Sequence, residues 1–300
     1  MTRRALALIG VPTNSSGTVD GVALAPRVLR ERGLPAALAA RPGFTDLGDL
    51  ALPQPRARRG PSGLLAEEAL IEMIGHVAGA VRAARSGGRF PLLLGGDCPV
   101  ILGALQALQA ETAQPGLMFV DGHEDAWPPR LSPTGEAADC ELGLALRLFD
   151  AELDGRLRAV LPRIRPEHVV ALGPRDQDEL AAAGVASLAG LRALVRPGEL
   201  HSVDLAAATA GLPAPWWLHV DLDVLASTGF PAVDYPQPGG LTWAELGQIT
   251  AAALAAPGCA GWSVCIYNPD LDPGLDGADA IIGYLTRAIA GAGRRPPSPG

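Results

Sequence analysis

The apolar run Leu117-Met118-Phe119-Val120 ends in Asp121, His123, Glu124 and Asp125, four ionisable side chains within five positions. Carboxylates and an imidazole at the end of a buried strand are costly to desolvate unless a counter-charge meets them. A second run, Trp216 to Val220, ends in Asp221-Leu222-Asp223. A third, Pro91 to Leu94, passes through two glycines into Asp97-Cys98. Side chains alternate along extended backbone, so Asp221 and Asp223 share one side, as do Asp121, His123 and Asp125. Two such sets facing each other, together with Cys98, predict a site for two divalent ions bridged by carboxylates. Ions about 3.5–4 Å apart can share a hydroxide and present it as a nucleophile at neutral pH. Oxygen-rich ligation suits Mn²⁺ or Mg²⁺, whereas one histidine and one thiolate pull toward Zn²⁺ or Fe²⁺. The competing reading treats each acid separately, with Asp97 for instance capping the helix that follows it. Two clustered sets at two strand ends favour the metal. The other histidines, His76, His168, His201 and His219, fall in helix or strand patterns and are assigned structural roles.

Such a site needs a scaffold that gathers strand ends. Short apolar runs at 5–11, 90–96, 116–122, 167–173, 216–223 and 262–268 predict strands. Between them, apolar residues recur at three- and four-residue spacing over 67–85, 98–109, 138–149, 177–183, 242–255 and 278–290, which predicts helices. Nearly continuous apolar strands alternating with helices predict an α/β fold, a parallel sheet covered on both faces. In such sheets, sites form outside the carboxyl ends of the strands. Three neighbouring strands would then bring six candidate ligands to one crevice. Residues 1–292 are expected to form a single domain, and 293–300, rich in proline, a disordered tail.

Bulk composition narrows the function. Of the 300 residues 48% are hydrophobic, enough for a core, and the net charge of −8 gives no footprint for nucleic acid or an anionic membrane. No apolar stretch is long enough to span a bilayer. The four cysteines, Cys98, Cys140, Cys259 and Cys265, have no C-x-x-C spacing and suit a reducing cytoplasm.

The motifs also carry a family resemblance. LIGVPTNSSG, DLGDL, GGDCPV, DGHEDAW, HVDLDVL, PQPGGLTWAEL and YNPDLD resemble, in order and interval, the signatures of the ureohydrolases: arginase, agmatinase, formiminoglutamase and relatives. The resemblance implies a three-layer α/β/α arginase-like fold with a mainly parallel central sheet. It implies two Mn²⁺ per chain, with Zn²⁺ or Fe²⁺ as alternatives because of Cys98, and a homo-oligomer, trimer or hexamer. By resemblance, Cys98, Asp121, Asp125 and Asp221 hold one ion, and Asp121, His123, Asp221 and Asp223 the other. Asp125 would also orient the attacking hydroxide. The implied reaction is hydrolysis of a C–N bond in a linear guanidine or amidine.

Departures from the pattern bear on the substrate. Cys98 stands where the family usually has histidine, and Ile266 where it has the glutamate that recognises guanidinium. Trp127 replaces a small polar residue and Tyr235 a threonine, while Ala226-Ser227 replaces Asp-Pro. The usual proton-shuttling histidine is absent: Ala138 falls there, with Asp139 beside it as the replacement candidate. Trp127, Tyr235 and Ile266 describe a more apolar mouth. Glu136, Asp139 and Glu141 are acids that could meet a cationic substrate. Asp139 could equally cap the helix 140–149, and Glu141 is expected to sit in its first turn, where acids suit the dipole. The expected function is a cytoplasmic, metal-dependent hydrolase of a small molecule other than arginine. The alternatives are a non-catalytic arginase-like binding or assembly protein and a mononuclear Zn²⁺ or Fe²⁺ hydrolase.

Overall fold

In the computed structural model, which describes residues 5–291, eight strands form one sheet: β1 (Ala5–Val11), β2 (Thr45–Asp49), β3 (Arg89–Gly95), β4 (Gly116–Val120), β5 (Val169–Leu172), β6 (Ala193–Val195), β7 (Trp216–Asp221) and β8 (Cys259–Cys265). The predicted tail lies outside the described residues. The order is β2-β1-β3-β8-β7-β4-β5-β6, every pairing is parallel, and helices flank the sheet. Every residue of β4, β5, β7 and β8 is buried. Burial on both faces explains why these strands read as apolar runs rather than alternating ones. Gly261 in β8 makes room for Trp217: a Cβ there would stand 2.0 Å from the indole ring.

The two strands missing from the sequence reading, β2 and β6, are the sheet edges. They are short and only partly buried, so the apolar signal is weak. The helix expected over 138–149 is also shorter, Glu141–Ala145, after a 3-10 turn at Ala137–Asp139. It ends because Arg147 takes φ 63 and closes a Schellman motif: Leu148 N–H donates to Gly143 O (3.1 Å) and Arg147 N–H to Leu144 O (3.1 Å). That position usually calls for glycine; here the Arg147 side chain compensates by donating to the Arg158 and Leu161 carbonyls at 3.0 and 2.9 Å. No helix among the described residues is long and apolar enough to cross a membrane.

The chain builds the β1 half, jumps from β3 to β4, runs outward to β6, and returns to fill the gap with β7 and β8. That jump is the topological switch point, where the carboxyl ends of neighbouring strands open a crevice. The three ligand-bearing strands are therefore not mutual neighbours, as the sequence suggested. β8 separates β3 from β7, so four strand ends meet there and the fourth delivers Ile266.

Candidate metal centre

Asp121 and Asp221 lie side by side at the ends of β4 and β7, next to the paired Val120 and Val220. Each spends one oxygen locally. Asp121 Oδ1 accepts from His123 N–H at 2.9 Å, and Asp221 Oδ1 accepts from Asp223 N–H at 2.8 Å. The second oxygen of each, Oδ2, is buried without a hydrogen-bond partner. Asp223 binds the loops together: Oδ1 accepts from Gly122 N–H at 3.0 Å, and Oδ2 lies 2.9 Å from His123 Nδ1. Gly122 has to be glycine for this approach, because a Cβ would stand 2.7 Å from Asp223 Oδ1. Potential ligand atoms of Asp121, His123 and Asp125 lie within 4.8 Å of one another. The same holds for Asp121, Asp221 and Asp223, and for Asp121, Glu141 and His219.

The electrostatics call for a cation. Burial pushes Asp121, Asp125 and Asp221 well above the usual carboxylate range, and their neighbours' negative charges push further. Burial opposes a charge on His123, yet Asp223 and Asp121 hold its imidazole protonated up to about 9. The proton on His123 sits where a cation would serve the same carboxylates. Orphaned buried oxygens, a histidine and converging acids are a donor set that fits a divalent metal.

Glu124, inside the same motif, points the other way. It is fully buried; Oε1 accepts from Ser187 Oγ at 2.5 Å and Oε2 from Leu188 N–H at 2.6 Å. Glu124 lies past the end of β4, in a segment where Asp125 takes φ 42, and its carboxylate is held by the loop at Ser187 and Leu188 instead of the crevice. Glu124→Ala is therefore expected to cost about 2 kcal/mol in denaturant unfolding, since it removes the buried charged acceptor that ties Ser187, Leu188 and Arg196 to this turn. Metal content should not change; a folded variant that had lost ions would refute this assignment.

A cavity of about 290 Å³ opens over the crevice, lined by Cys98, His123, Asp125, Asp223 and Ile266, and by Trp127, Glu136, Ala138, Asp139 and Tyr235. The predicted site residues thus come together, save that Asp121 and Asp221 lie beneath the floor. Trp127 N–H donates to Asp139 O at 3.0 Å. Tyr235, 44% exposed, stands edge-on to His123 with ring centroids 6.4 Å apart. Ile266 and Asp125 both hold left-handed backbone, φ 69 and φ 42. For a β-branched residue that is strained, and strain of this kind clusters at functional sites. Ile266 is pinned by donating its N–H to Gly96 O at 2.8 Å, across β8 and β3.

Several expectations change. Asp97 caps no helix: Oδ2 accepts from Ser15 N–H at 2.6 Å and Oδ1 from Cys98 N–H at 3.0 Å, and the helix Val100–Gln109 starts after Pro99. Asp139 caps none either, because its carboxylate accepts from Thr134 Oγ1 at 2.7 Å and from Ser132 Oγ. Glu141 does sit in the first turn of its helix, Glu141–Ala145, as expected, but facing inward. It is fully buried, neither oxygen has a hydrogen-bond partner, and it faces Asp121. His219 is structural on one side only. Nδ1 meets Ser263 Oγ at 2.8 Å, while Nε2 is unpartnered; burial pushes this imidazole down to about 3. The sequence reading missed Asp176, Glu179 and Asp234 in the cavity wall. Asp176 and Glu179 come from the start of the helix Gln177–Ala182 and Asp234 from a loop, where acids carry no signal beyond an ordinary helix start or turn.

Residues 4–289 match the arginase family. Arginase from Bacillus caldovelox is 30% identical over 260 residues, covering 80% of this chain and 83% of that one. Its native structure superposes with a TM-score of 0.79 at 25% identity, over 97% of this chain and 99% of that one. N(omega)-hydroxy-L-arginine amidinohydrolase from Streptomyces lavendulae is 29% identical over 246 residues, 82% of this chain and 81% of that one. Formimidoylglutamase from Bacillus subtilis, 21% identical, shares the fold with a TM-score of 0.69 over 96% of this chain and 87% of that one. Sheet order, strand-end chemistry and a match running almost from end to end agree: the chain belongs to the arginase family.

Proposed function

We propose that this chain is a metal-dependent hydrolase that cleaves a C–N bond in a small cationic amidine or modified guanidine other than arginine, with two Mn²⁺ per chain. The observation that carries this reading is the pair of buried, unpartnered Oδ2 atoms on Asp121 and Asp221, beneath the floor of an acid-lined cavity. His123, Asp125 and Asp223 complete the donor set. When bound, the ions would lower the pKa of water and stabilise negative charge on oxygen. Asp125, fixed by its strained backbone, accepts a hydrogen bond from the attacking water and orients it. Water adds a hydroxyl to the central carbon, and its proton leaves with the departing nitrogen. Asp139, held by Ser132 and Thr134, is the carboxyl placed to pass that proton.

Eight cavity-lining residues are Asp or Glu, and none is Lys or Arg, which favours a cationic ligand. Trp127 and Tyr235 offer apolar and aromatic surface to its body, and Ile266 gives no partner to a guanidinium head. The hydroxyarginine-directed name of the Streptomyces relative supports a modified guanidine. The test is purification without chelator, elemental mass spectrometry, and a screen of amidines, formimino compounds and N-substituted guanidines. Two ions per chain and chelator-sensitive turnover are expected; a protein that takes up no ion refutes the reading.

Glu136 gives the pH dependence. Burial, with the charges of Asp97, Asp139 and Asp234, pushes its carboxyl up to about 8, so it is protonated at neutral pH. It gains its charge only as pH rises through that value. KM for an amine-bearing substrate should therefore fall between pH 7 and 9, and Glu136→Gln should flatten this limb. A variant with the wild-type profile would remove Glu136 from substrate binding.

The second reading, a non-catalytic arginase-like binding protein, draws on Ile266 and Ala138 in the wall. Turnover of any amidine that stops on metal removal would end it.

A further inference from the structure

Glu141 and His219 have no role in the ligand pattern implied by the resemblance, yet both point into the same buried space. Neither is exposed at all. Both Glu141 oxygens and His219 Nε2 lack hydrogen-bond partners, and so does Asp121 Oδ2. Potential ligand atoms from the three residues nevertheless lie within 4.8 Å of one another. Atoms each about 2.0–2.2 Å from one ion stand roughly 3–4 Å apart, so ligands waiting for an ion look like this. Carboxylate facing carboxylate, with no donor from the protein, is otherwise a costly arrangement.

His219 carries the outer contact that ligating imidazoles have. Nδ1 meets Ser263 Oγ at 2.8 Å, which leaves Nε2 facing Asp121 and Glu141; the tautomer that donates Nδ1–H to Ser263 is the one that offers an Nε2 lone pair to an ion. Ser263 Oγ also accepts from Trp217 Nε1–H at 3.0 Å, which fixes the ring's orientation. Cys98 is placed differently. Its thiol stands 3.5 Å from Asp97 Oδ1 and also hydrogen-bonds the Asp221 carboxyl, so it has partners within the protein, and it joins none of the three clusters found among the described residues.

We propose that Glu141 and His219, with Asp121, hold one of the two ions in this chain, and that Cys98 is not a ligand. The proposal rests on the metal-dependent reading above and revises which residues bind the metal. Two carboxylates and an imidazole form a harder set than one including thiolate. They suit Mn²⁺ or Fe²⁺, without the bias toward Zn²⁺ that Cys98 would bring.

Ion stoichiometry after Mn²⁺ loading, by elemental mass spectrometry on the full chain, tests this without any assay of activity. Wild type and Cys98→Ala should each hold two ions. Glu141→Gln and His219→Gln should each hold one, with circular dichroism showing that they fold. Cys98→Ala falling to one ion, or Glu141→Gln and His219→Gln both retaining two, overturns the proposal. Those results would leave the binuclear reading standing. A wild type that binds no ion overturns both. Should the Glu141 and His219 variants fail to fold, the Cys98→Ala count decides: two supports the assignment and one refutes it.

Discussion

Asp121→Ala is expected to bind neither ion and to lose hydrolysis to background. Asp121 is the one residue shared by all three ligand clusters. Its Oδ2 atom is buried with no other function, and its Oδ1 atom fixes the turn that presents His123. On the proposed binuclear reading, removing it would leave the site with one anionic donor fewer to hold two divalent cations. Hydrolysis should fail with the ions, because bound metal would be what lowers the pKa of water far enough to supply a nucleophile at neutral pH. The fold should survive. Burial and mutual repulsion already push Asp121, Asp125 and Asp221 well above their usual range, so deleting one carboxyl relieves the metal-free protein. Metal-free Asp121→Ala should therefore melt at or above the temperature of metal-free wild type. Two ions retained in this variant would place the metal centre elsewhere.

Ile266→Glu should redirect the cavity toward unmodified guanidinium compounds. Ile266 lies in the cavity wall at the end of β8, with left-handed backbone held by its bond to Gly96. A carboxylate there would meet a guanidinium with charge-assisted hydrogen bonds, worth about 1.5–3 kcal/mol. That corresponds to roughly 10–100-fold in the kcat/KM ratio of a guanidine over an uncharged isostere. An unbranched side chain also suits positive φ better than isoleucine does. The cost of a further acid in an already acidic wall should appear as weaker substrate binding below neutral pH, where the new carboxyl is protonated. An unchanged selectivity ratio in a folded, metal-loaded variant would show that the substrate's head does not reach Ile266.

Much of this protein is legible before it folds. Strands β4, β5, β7 and β8 are buried on both faces, so their residues are almost all apolar, the exceptions His219 and Ser263 meeting each other, and the acids at the strand ends stood out. The helix Trp243–Ala255 announces its own start. Thr242 Oγ1 accepts from Glu245 N–H at 3.2 Å and Glu245 Oε2 from Thr242 N–H at 2.8 Å, a reciprocal cap written in four residues. Asp121, His123, Asp125, Asp221 and Asp223 were found by local spacing read as extended backbone, although the chain turns just past both strands: Leu222–Val224 is a 3-10 turn and Asp125 takes φ 42.

The neighbours of that motif were decided elsewhere. Glu124 differs from Asp125 by one position, and only the packing of the loop at Ser187 and Leu188 says which carboxylate is structural. Glu141 has the sequence of a surface acid in a first helical turn. It is buried because a short helix, ended by a left-handed arginine rather than a glycine, turns that face onto β4 and β7. β8 enters between β3 and β7 although it comes last in the chain, and with it Ile266 reaches the site. Local spacing governs which side of a strand a residue takes. Which strand ends meet, and which acids are shut away from water among them, depends on contacts between segments a hundred residues apart, and only the folded chain holds those together.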